Sequence, residues 1–513
     1  MTHTSKRIAK FPAVALSLCG ALASPAQGQC EIAKLLASDG TADDNLGFSV
    51  AIDGDRAIAG APKDGDNGFW SGSAYIYRFD PETSLWIEEA KLLASDGATN
   101  DVFGWSVAIS GDIAVVGAFA DDDGFINSGS AYVFRYDHAR SEWMEEAKLL
   151  ASDPAISAWF GFSVAISGDV AVVGAAADDE NGPESGAAYI FRYDPDTSNW
   201  LQETKLLASD GNKSSFFGKV VAIDGGGLLI VGAFGHDDNG TGSGAAYIFR
   251  FDPKQQQWNE EAKLLDPDGA PFDNFGDQVD ICGDLAIAGA DNDDDNGGQS
   301  GSAFIFRFDP SGDPGAQWTL EAKLLASDGA EADSFGSGVG IGDEVAVVGA
   351  SGHEGNAFNS GSAYVFRFDP ALSQWTEVAE VVASDVVENH GFGGRVALSG
   401  NLAIIRAAGD DDHGLNAGAA YIFTGINGVD CNNNGEPDAC DIFNGQSTDF
   451  NANDVPDECD ADLDGDGSVG VTDLLILLAN WGRCADCNDC PADLDDDCTV
   501  GVIDLIMLLS NWG

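Results

Sequence analysis

Near the C-terminus of this 513-residue chain, oxygen-bearing side chains stand at every second position in four separate runs. In the first, Asp430, Asn432, Asn434, Asp438 and Asp441 occupy positions 1, 3, 5, 9 and 12 of a loop whose position 7 is left to a backbone carbonyl. Asp449, Asn451, Asn453, Asp457 and Asp460 repeat that spacing. Two further runs place Asp462, Asp464, Asp466 and Asp473, then Asp493, Asp495, Asp497 and Asp504, at positions 1, 3, 5 and 12, with Ser468 and Thr499 at position 7. Alternate side chains point inward when a chain wraps around an ion, and a hard cation such as Ca2+ takes about six to eight oxygens, so all four runs are candidate calcium loops. Apolar runs of helical length, Leu474 to Gly482 and Leu505 to Trp512, follow the last two, and each such helix needs the other to bury it.

Signals for catalysis are weak. The chain holds no Gly-x-Ser-x-Gly elbow, no His-Glu-x-x-His and no phosphate-binding Gly-Lys loop. His236 and His353 share a loop position without neighbours at ligand spacing in the sequence, and both read as surface residues. Paired carboxylates discriminate nothing in a chain with 85 Asp+Glu against 24 Lys+Arg and a net charge of −61. That balance excludes nucleic acid and anionic membrane surfaces as partners, because no basic face exists to displace counterions from phosphates. It suits divalent cations and basic partners. The chain reads as a non-enzymatic protein.

The elements that would carry these sites are set by repetition. A Phe-Gly pair recurs at Phe103, Phe160, Phe217, Phe275, Phe335 and Phe392, with Leu46-Gly47 as a variant first copy, roughly 57 to 60 residues apart. Each unit contains four apolar runs of strand length, typified by SVAI, VAVVGA, AAYIFRY and WLQETKLLA, separated by Ser-Gly-Asp, an acidic Gly-rich loop and Asp-Pro-Asp. Seven units of four short antiparallel strands predict an all-β, seven-bladed propeller over residues 29–428. The Trp-led fourth strand occurs only six times, after Trp86, Trp143, Trp200, Trp258, Trp318 and Trp375. The missing copy is Glu31–Ala37 at the other end of the chain, so the N-terminal strand is expected to complete the last blade beside Ala420–Phe423. Cys30 precedes that strand and Cys431 follows its expected partner, which predicts a Cys30–Cys431 clasp. The acidic loops, such as Asp121-Asp122-Asp123 and Asp293-Asp294-Asp295, read as solvated turns rather than cation sites.

The Phe-Gly pairs, together with the Gly-Ala steps at Gly60-Ala61-Pro62, Gly117-Ala118, Gly174-Ala175, Gly232-Ala233, Gly289-Ala290 and Gly349-Ala350, resemble the FG-GAP repeats of the integrin α-chain head and of related bacterial proteins. Members with blade calcium carry an Asp-rich loop between the two motifs; here the link is only Ser-Gly-Asp or Asp-Gly-Asp, too short to surround a cation. The seventh copy is Arg406-Ala407-Ala408. In integrin-like propellers the residue after Phe-Gly rings the axis on the partner-binding face. The resemblance therefore implies a mouth that is aromatic at Phe48, Trp105 and Phe162 and polar from Lys219 onward, facing a protein or glycan ligand.

The first two loops resemble thrombospondin type 3 calcium repeats, spanning 429–460, and the last two resemble a type I dockerin, spanning 461–513. Dockerin resemblance implies Ca2+ and a cohesin-like partner chosen by Val471-Thr472 and Val502-Ile503. Cys440 and Cys459 are candidates to link the two thrombospondin-like loops, and Cys484, Cys487, Cys490 and Cys498 to form two disulfides in the dockerin-like part; Cys282 reads as a buried thiol. Residues 1–28 read as an export signal, with Lys6, Arg7 and Lys10 before the apolar run Phe11–Leu22, and cleavage after Ala23 or Gly28. No segment is long enough to span a bilayer. The expected protein is a secreted binding or adhesion scaffold with a calcium-dependent attachment tail, the alternative being a subunit of a secreted polysaccharide-degrading assembly.

Overall fold

Seven four-stranded antiparallel sheets form a closed wheel in the computed structural model. It describes residues 29–428, apart from 313–315, 343, 356 and 386, and beyond them 437–447, 456, 461, 463, 469–483, 492, 494 and 499–510. In the second blade the strands are Ser106–Ser110, Ile113–Ala118, Ser130–Asp137 and Glu142–Leu149, hydrogen-bonded in chain order. The second strand of blades two to six is an unbroken apolar run, as at Ile113–Ala118 and Val170–Ala175, because neighbouring blades cover both of its faces. The fourth, outer strands open with exposed positions alternating with more buried ones, as at Glu142–Leu149, since only one of their faces is covered there.

The seventh blade is built from both ends of the wheel. Val396–Ser399, Leu402–Ala407 and Ala419–Thr424 are joined by Cys30–Leu35, which pairs antiparallel with Ala419–Thr424 so that Glu31 opposes Phe423 and Lys34 opposes Tyr421. Glu31 also binds the end of the preceding blade as its counterparts do. Its carboxylate accepts from Ser384 N and Oγ at 2.8 and 2.9 Å, just as Glu145 accepts from Ser95. Closure of this kind gives the seventh blade the same four strands as the others, so that only the short edge strands of each blade remain.

The Phe-Gly and Gly-Ala motifs are two halves of one contact between adjacent blades. Phe103 is fully buried among Ile58, Ala74 and Leu92 of the first blade and Val107 and Tyr132 of its own. Gly104, at φ +89°, brings its carbonyl so close to Gly60 that a Cβ on Gly60 would lie 2.0 Å from that oxygen. No side chain fits there, which is why both positions are glycine. The contact repeats from Gly117 on Gly161 to Gly349 on Gly393.

Beyond the wheel, helix α1 (Asp438–Phe443) sits against blade residues Ile32, Phe79, Trp86 and Leu402, with Ile442 and Phe443 on its side of a cavity of about 570 Å³. Helices α2 (Val471–Ala479) and α3 (Val502–Ser510) pack together over Val469, Leu477, Leu494, Val500 and Leu508. The clasp differs from the one expected: Cys30 is bonded to Cys440 on α1, not to Cys431. This also removes Cys440 as a partner for Cys459. The strand ending at Thr424 is followed by a turn, and it is the seated helix, not the residue next to the strand, that returns to the N-terminus. Cys282 closes the strand Gln278–Cys282 half-buried, not buried. Peptide mapping without reductant is expected to find the Cys30–Cys440 linkage. Cys440→Ser should cost about 2–4 kcal/mol, read as a fall in Tm of a few degrees.

Candidate binding site at the mouth of the propeller

The residues that follow the Phe-Gly pairs meet around the axis. Phe48 and Trp105 have ring centroids 4.4 Å apart, and Trp105 and Phe162 5.5 Å. Two residues that sequence reasoning passed over extend this aromatic arc: Phe119, 4.7 Å from Trp105 and 5.2 Å from Phe162, and Trp159, stacked 5.9 Å from Phe162. All five are half-buried, each keeping part of its ring accessible. Phe119 follows a Gly-Ala step, where the fourth blade also has a phenylalanine, Phe234, and the other blades do not; Trp159 precedes a Phe-Gly pair, where no other blade has tryptophan.

The arc turns ionic at the fourth blade. Lys219 pairs with Asp277 of the fifth blade, and its ammonium lies 3.9 Å from the centroid of Phe234. Asp291, Arg395 and Arg406 complete this half around a cavity of about 490 Å³. Arg406 stands where the other blades have the Gly of Gly-Ala. The close contact between glycines is therefore absent at the junction of blades seven and one, and the side chain reaches into the mouth. Its Nη1 donates to Phe48 O at 3.2 Å and its guanidinium covers the Phe48 ring at 4.8 Å. Arg395 Nη1 donates to Ser337 O at 3.3 Å and to Gly394 O at 3.0 Å. Arg406 Nε and Asp291 Oδ1 are buried and make no hydrogen bond among the described residues.

These groups perturb one another. Burial works against the Asp277 carboxylate, yet the adjacent Lys219 ammonium outweighs it and holds its pKa below the usual range. Burial, reinforced by the charge of Asp277, pushes Asp291 up to about 6. Burial, with Arg395 as a like-charged neighbour, brings Arg406 down to about 9. Three cations thus face two carboxylates, one of them easily protonated, and the mouth is a positive island on a strongly acidic protein.

Away from the axis, the acidic loops are solvated turns only in part, their second and third carboxylates exposed as at Asp122 and Asp123. The first carboxylate of each is buried, and the lysine of the fourth strand occupies the space between carboxylates. Lys148 contacts Asp96 at 2.7 Å, Asp121 at 2.9 Å and also Asp123; Lys91 holds Asp39, Asp64 and Asp66 at 2.7–2.8 Å. Lys34, Lys205, Lys263 and Lys323 stand in the same position in their own blades. At Lys34, Lys91, Lys148, Lys205 and Lys323 burial disfavours the ammonium, but the carboxylates around it prevail and raise its pKa. His236 and His353 belong to these cages and are buried, contrary to the surface position expected.

Of the tail's candidate ligands, Asp473 and Asp504 are both 1% exposed at the first turns of α2 and α3. Asp473 Oδ2 accepts from Gly470 N at 2.7 Å, and Asp504 accepts from Leu494 N at 2.7 Å and Gly501 N at 2.5 Å. Asp438 and Asp441 are buried on α1, and Thr499 is exposed in the short strand Thr499–Val500. Asp430, Asn432, Asn434, Asp449, Asn451, Asn453, Asp457, Asp460, Asp462, Asp464, Asp466, Ser468, Asp493, Asp495 and Asp497 lie outside the described residues, as do Cys431, Cys459, Cys484, Cys487, Cys490 and Cys498.

The seven-fold unit matches the model of the FG-GAP repeat at residues 30–77, 86–134, 143–191, 200–249, 258–306, 318–366 and 375–423, and the chain belongs to the FG-GAP repeat family. Among solved structures, "Crystal structure of RRP9 WD40 repeats" is similar at a TM-score of 0.46 and 9% identity, over 78% of this chain and 98% of that one.

A carboxyl group whose pKa is raised on folding keeps its proton where the unfolded chain has lost it, so its contribution to stability grows as pH falls from about 6 toward the unfolded value of 3.8. Denaturation of the parent and Asp291→Asn at pH 7 and pH 5 should therefore show the parent gaining relative to the variant at the lower pH.

Proposed function

We propose that this protein is an extracellular binding scaffold that takes a protein or glycan ligand on the mouth of its propeller and is attached through its tail. The observation that carries this reading is where the seven-fold symmetry fails. The residues that hold blades together repeat almost unchanged, whereas the positions around the axis pass from aromatic in blades one to three to charged or small in the rest, and combine accessible aromatic rings with charges. Rings of this kind stack on sugar faces or apolar side chains. Lys219, Arg395 and Arg406 favour a ligand with an anionic group beside that apolar face, and electrostatic complementarity of this sort selects partners.

The tail supplies the second working surface. Val471, Leu475 and Leu478 on α2, and Val502, Ile503, Ile506 and Leu509 on α3, are between 48% and 65% exposed. Helices that have already buried Leu477 and Leu508 against each other still present apolar faces outward, as a docking module does. Asp473 and Asp504, buried at the last ligand position of their loops, fit the donor set of a calcium pair, and Ca2+ bound there would fix the helix starts that carry the exposed faces. Export fits the disulfide, and no helix among the described residues is long and apolar enough to cross a membrane.

Against a panel of glycans and extracellular proteins, a true ligand should lose about 2 kcal/mol, roughly thirtyfold in Kd, with Trp105→Ala and Lys219→Ala combined. Unchanged binding would remove the mouth from the account, and turnover of a glycan abolished by one propeller substitution would replace it with an enzyme. Chelation by EGTA is expected to abolish capture through the tail and leave ligand binding at the mouth unchanged; tail capture indifferent to EGTA would discard the calcium reading.

A further inference from the structure

Six of the seven lysine cages are filled by their own blade's or the N-terminal strand's lysine; the sixth-blade cage has none. Glu380 takes the lysine position, His353 replaces the buried first carboxylate of the loop, and Gly355 replaces the third. Asp328 keeps its place, its Oδ1 accepting from Tyr364 Oη at 2.8 Å as Asp96 does from Tyr132. Glu380 Oε1 is fixed by Ser362 Oγ at 2.7 Å. The cage has thus lost its built-in cation and gained an imidazole.

The imidazole is oriented. His353, 8% exposed, has Nδ1 3.1 Å from Asp333 Oδ2, and Asp333, 2% exposed, also accepts from Ala330 N at 2.7 Å. With Nδ1 donating to that carboxylate, Nε2 turns its lone pair toward Asp328 Oδ2 at 3.7 Å and Glu380 Oε1 at 3.6 Å. Both separations are too long for a hydrogen bond. They match the edge of a tetrahedron, about 3.4 Å, around an ion that holds nitrogen and oxygen ligands at about 2.1 Å. Two carboxylates facing an imidazole lone pair repel unless something positive stands between them. A Cβ on Gly355 would lie 3.1 Å from His353 Nε2 and 3.5 Å from Glu380 Oε1, so its absence leaves room for a further ligand such as water.

A second cluster of the same type, Asp210, His236 and Asp238, provides the contrast. There Lys263 contacts Asp210 at 2.7 Å and also Asp238, so the cation is already part of the protein. We propose that Asp328, His353 and Glu380 form a site for a divalent transition metal of the zinc class, oriented by Asp333, standing in for the lysine of the other blades. A nitrogen donor with two carboxylates suits zinc, cobalt or manganese better than calcium or magnesium, which take oxygen alone. The carboxylate–histidine–metal arrangement made by Asp333 is the common way such a ligand is aimed.

The test uses the full chain, stripped of metal and kept in excess calcium so that the tail loops are satisfied, titrated with zinc by calorimetry. Glu380→Lys returns the lysine that the other six cages hold and is expected to fold; it should take up one equivalent of zinc fewer than the parent. Asp333→Asn should retain that equivalent with affinity lowered about 10- to 100-fold. Cobalt should give the parent a visible absorption band that Glu380→Lys lacks. Equal zinc stoichiometry in the parent and Glu380→Lys overturns the proposal. So does an imidazole signal of His353 that shows Nε2 protonated and unmoved by zinc, since a proton would then be the missing positive charge.

Discussion

Everything in this wheel depends on how closely one blade can approach the next. The carbonyl of each Phe-Gly glycine occupies the space where a Cβ on the preceding Gly-Ala glycine would be, so the blades are held at backbone contact, and the neighbouring phenylalanine fills the wedge that opens outward from it. Repeating that contact turns a row of twisted sheets into a ring, and closing the ring requires the last sheet to find a strand from elsewhere. The N-terminal strand meets that requirement, down to the glutamate that holds the end of the preceding blade.

The contact fails at one junction, where Arg406 replaces glycine and cannot be packed between backbones. Its side chain instead enters the axial mouth, beside Phe48 and near Arg395. The binding surface therefore acquires a buried charge beside the blade that the N-terminal strand completes. On the outside the same protein manages an excess of carboxylates by surrounding single lysines with them, so that a chain with only 24 basic residues places them where several acidic groups would otherwise repel.

The wheel, the strand that closes it and the aromatic-to-polar change around its axis were legible because each is carried by residues at fixed distances within a repeat. Phe48, Trp105, Phe162 and Lys219 follow a motif that can be counted along the chain. The lysine cages were not legible, because each joins a fourth strand, the loop between the second and third strands of the same blade and the loop after the preceding blade's fourth strand, and only three-dimensional register brings Lys148 to Asp96 and Asp121. For the same reason His353 was read as a surface residue; its environment comes from Asp328, Asp333 and Glu380, which belong to other elements. The Cys30 partner was misjudged because nearness to the end of a strand predicts a clasp only when the chain continues straight, and here a turn and helix α1 intervene.

Hydrogen exchange of the backbone amides in Cys30–Leu35 tests the closed ring most directly. The account predicts protection comparable to that of the paired strand Ala419–Thr424, with both segments opening together when the wheel unfolds. Exchange of Cys30–Leu35 at the rate of a free chain, with Ala419–Thr424 still protected, would contradict it.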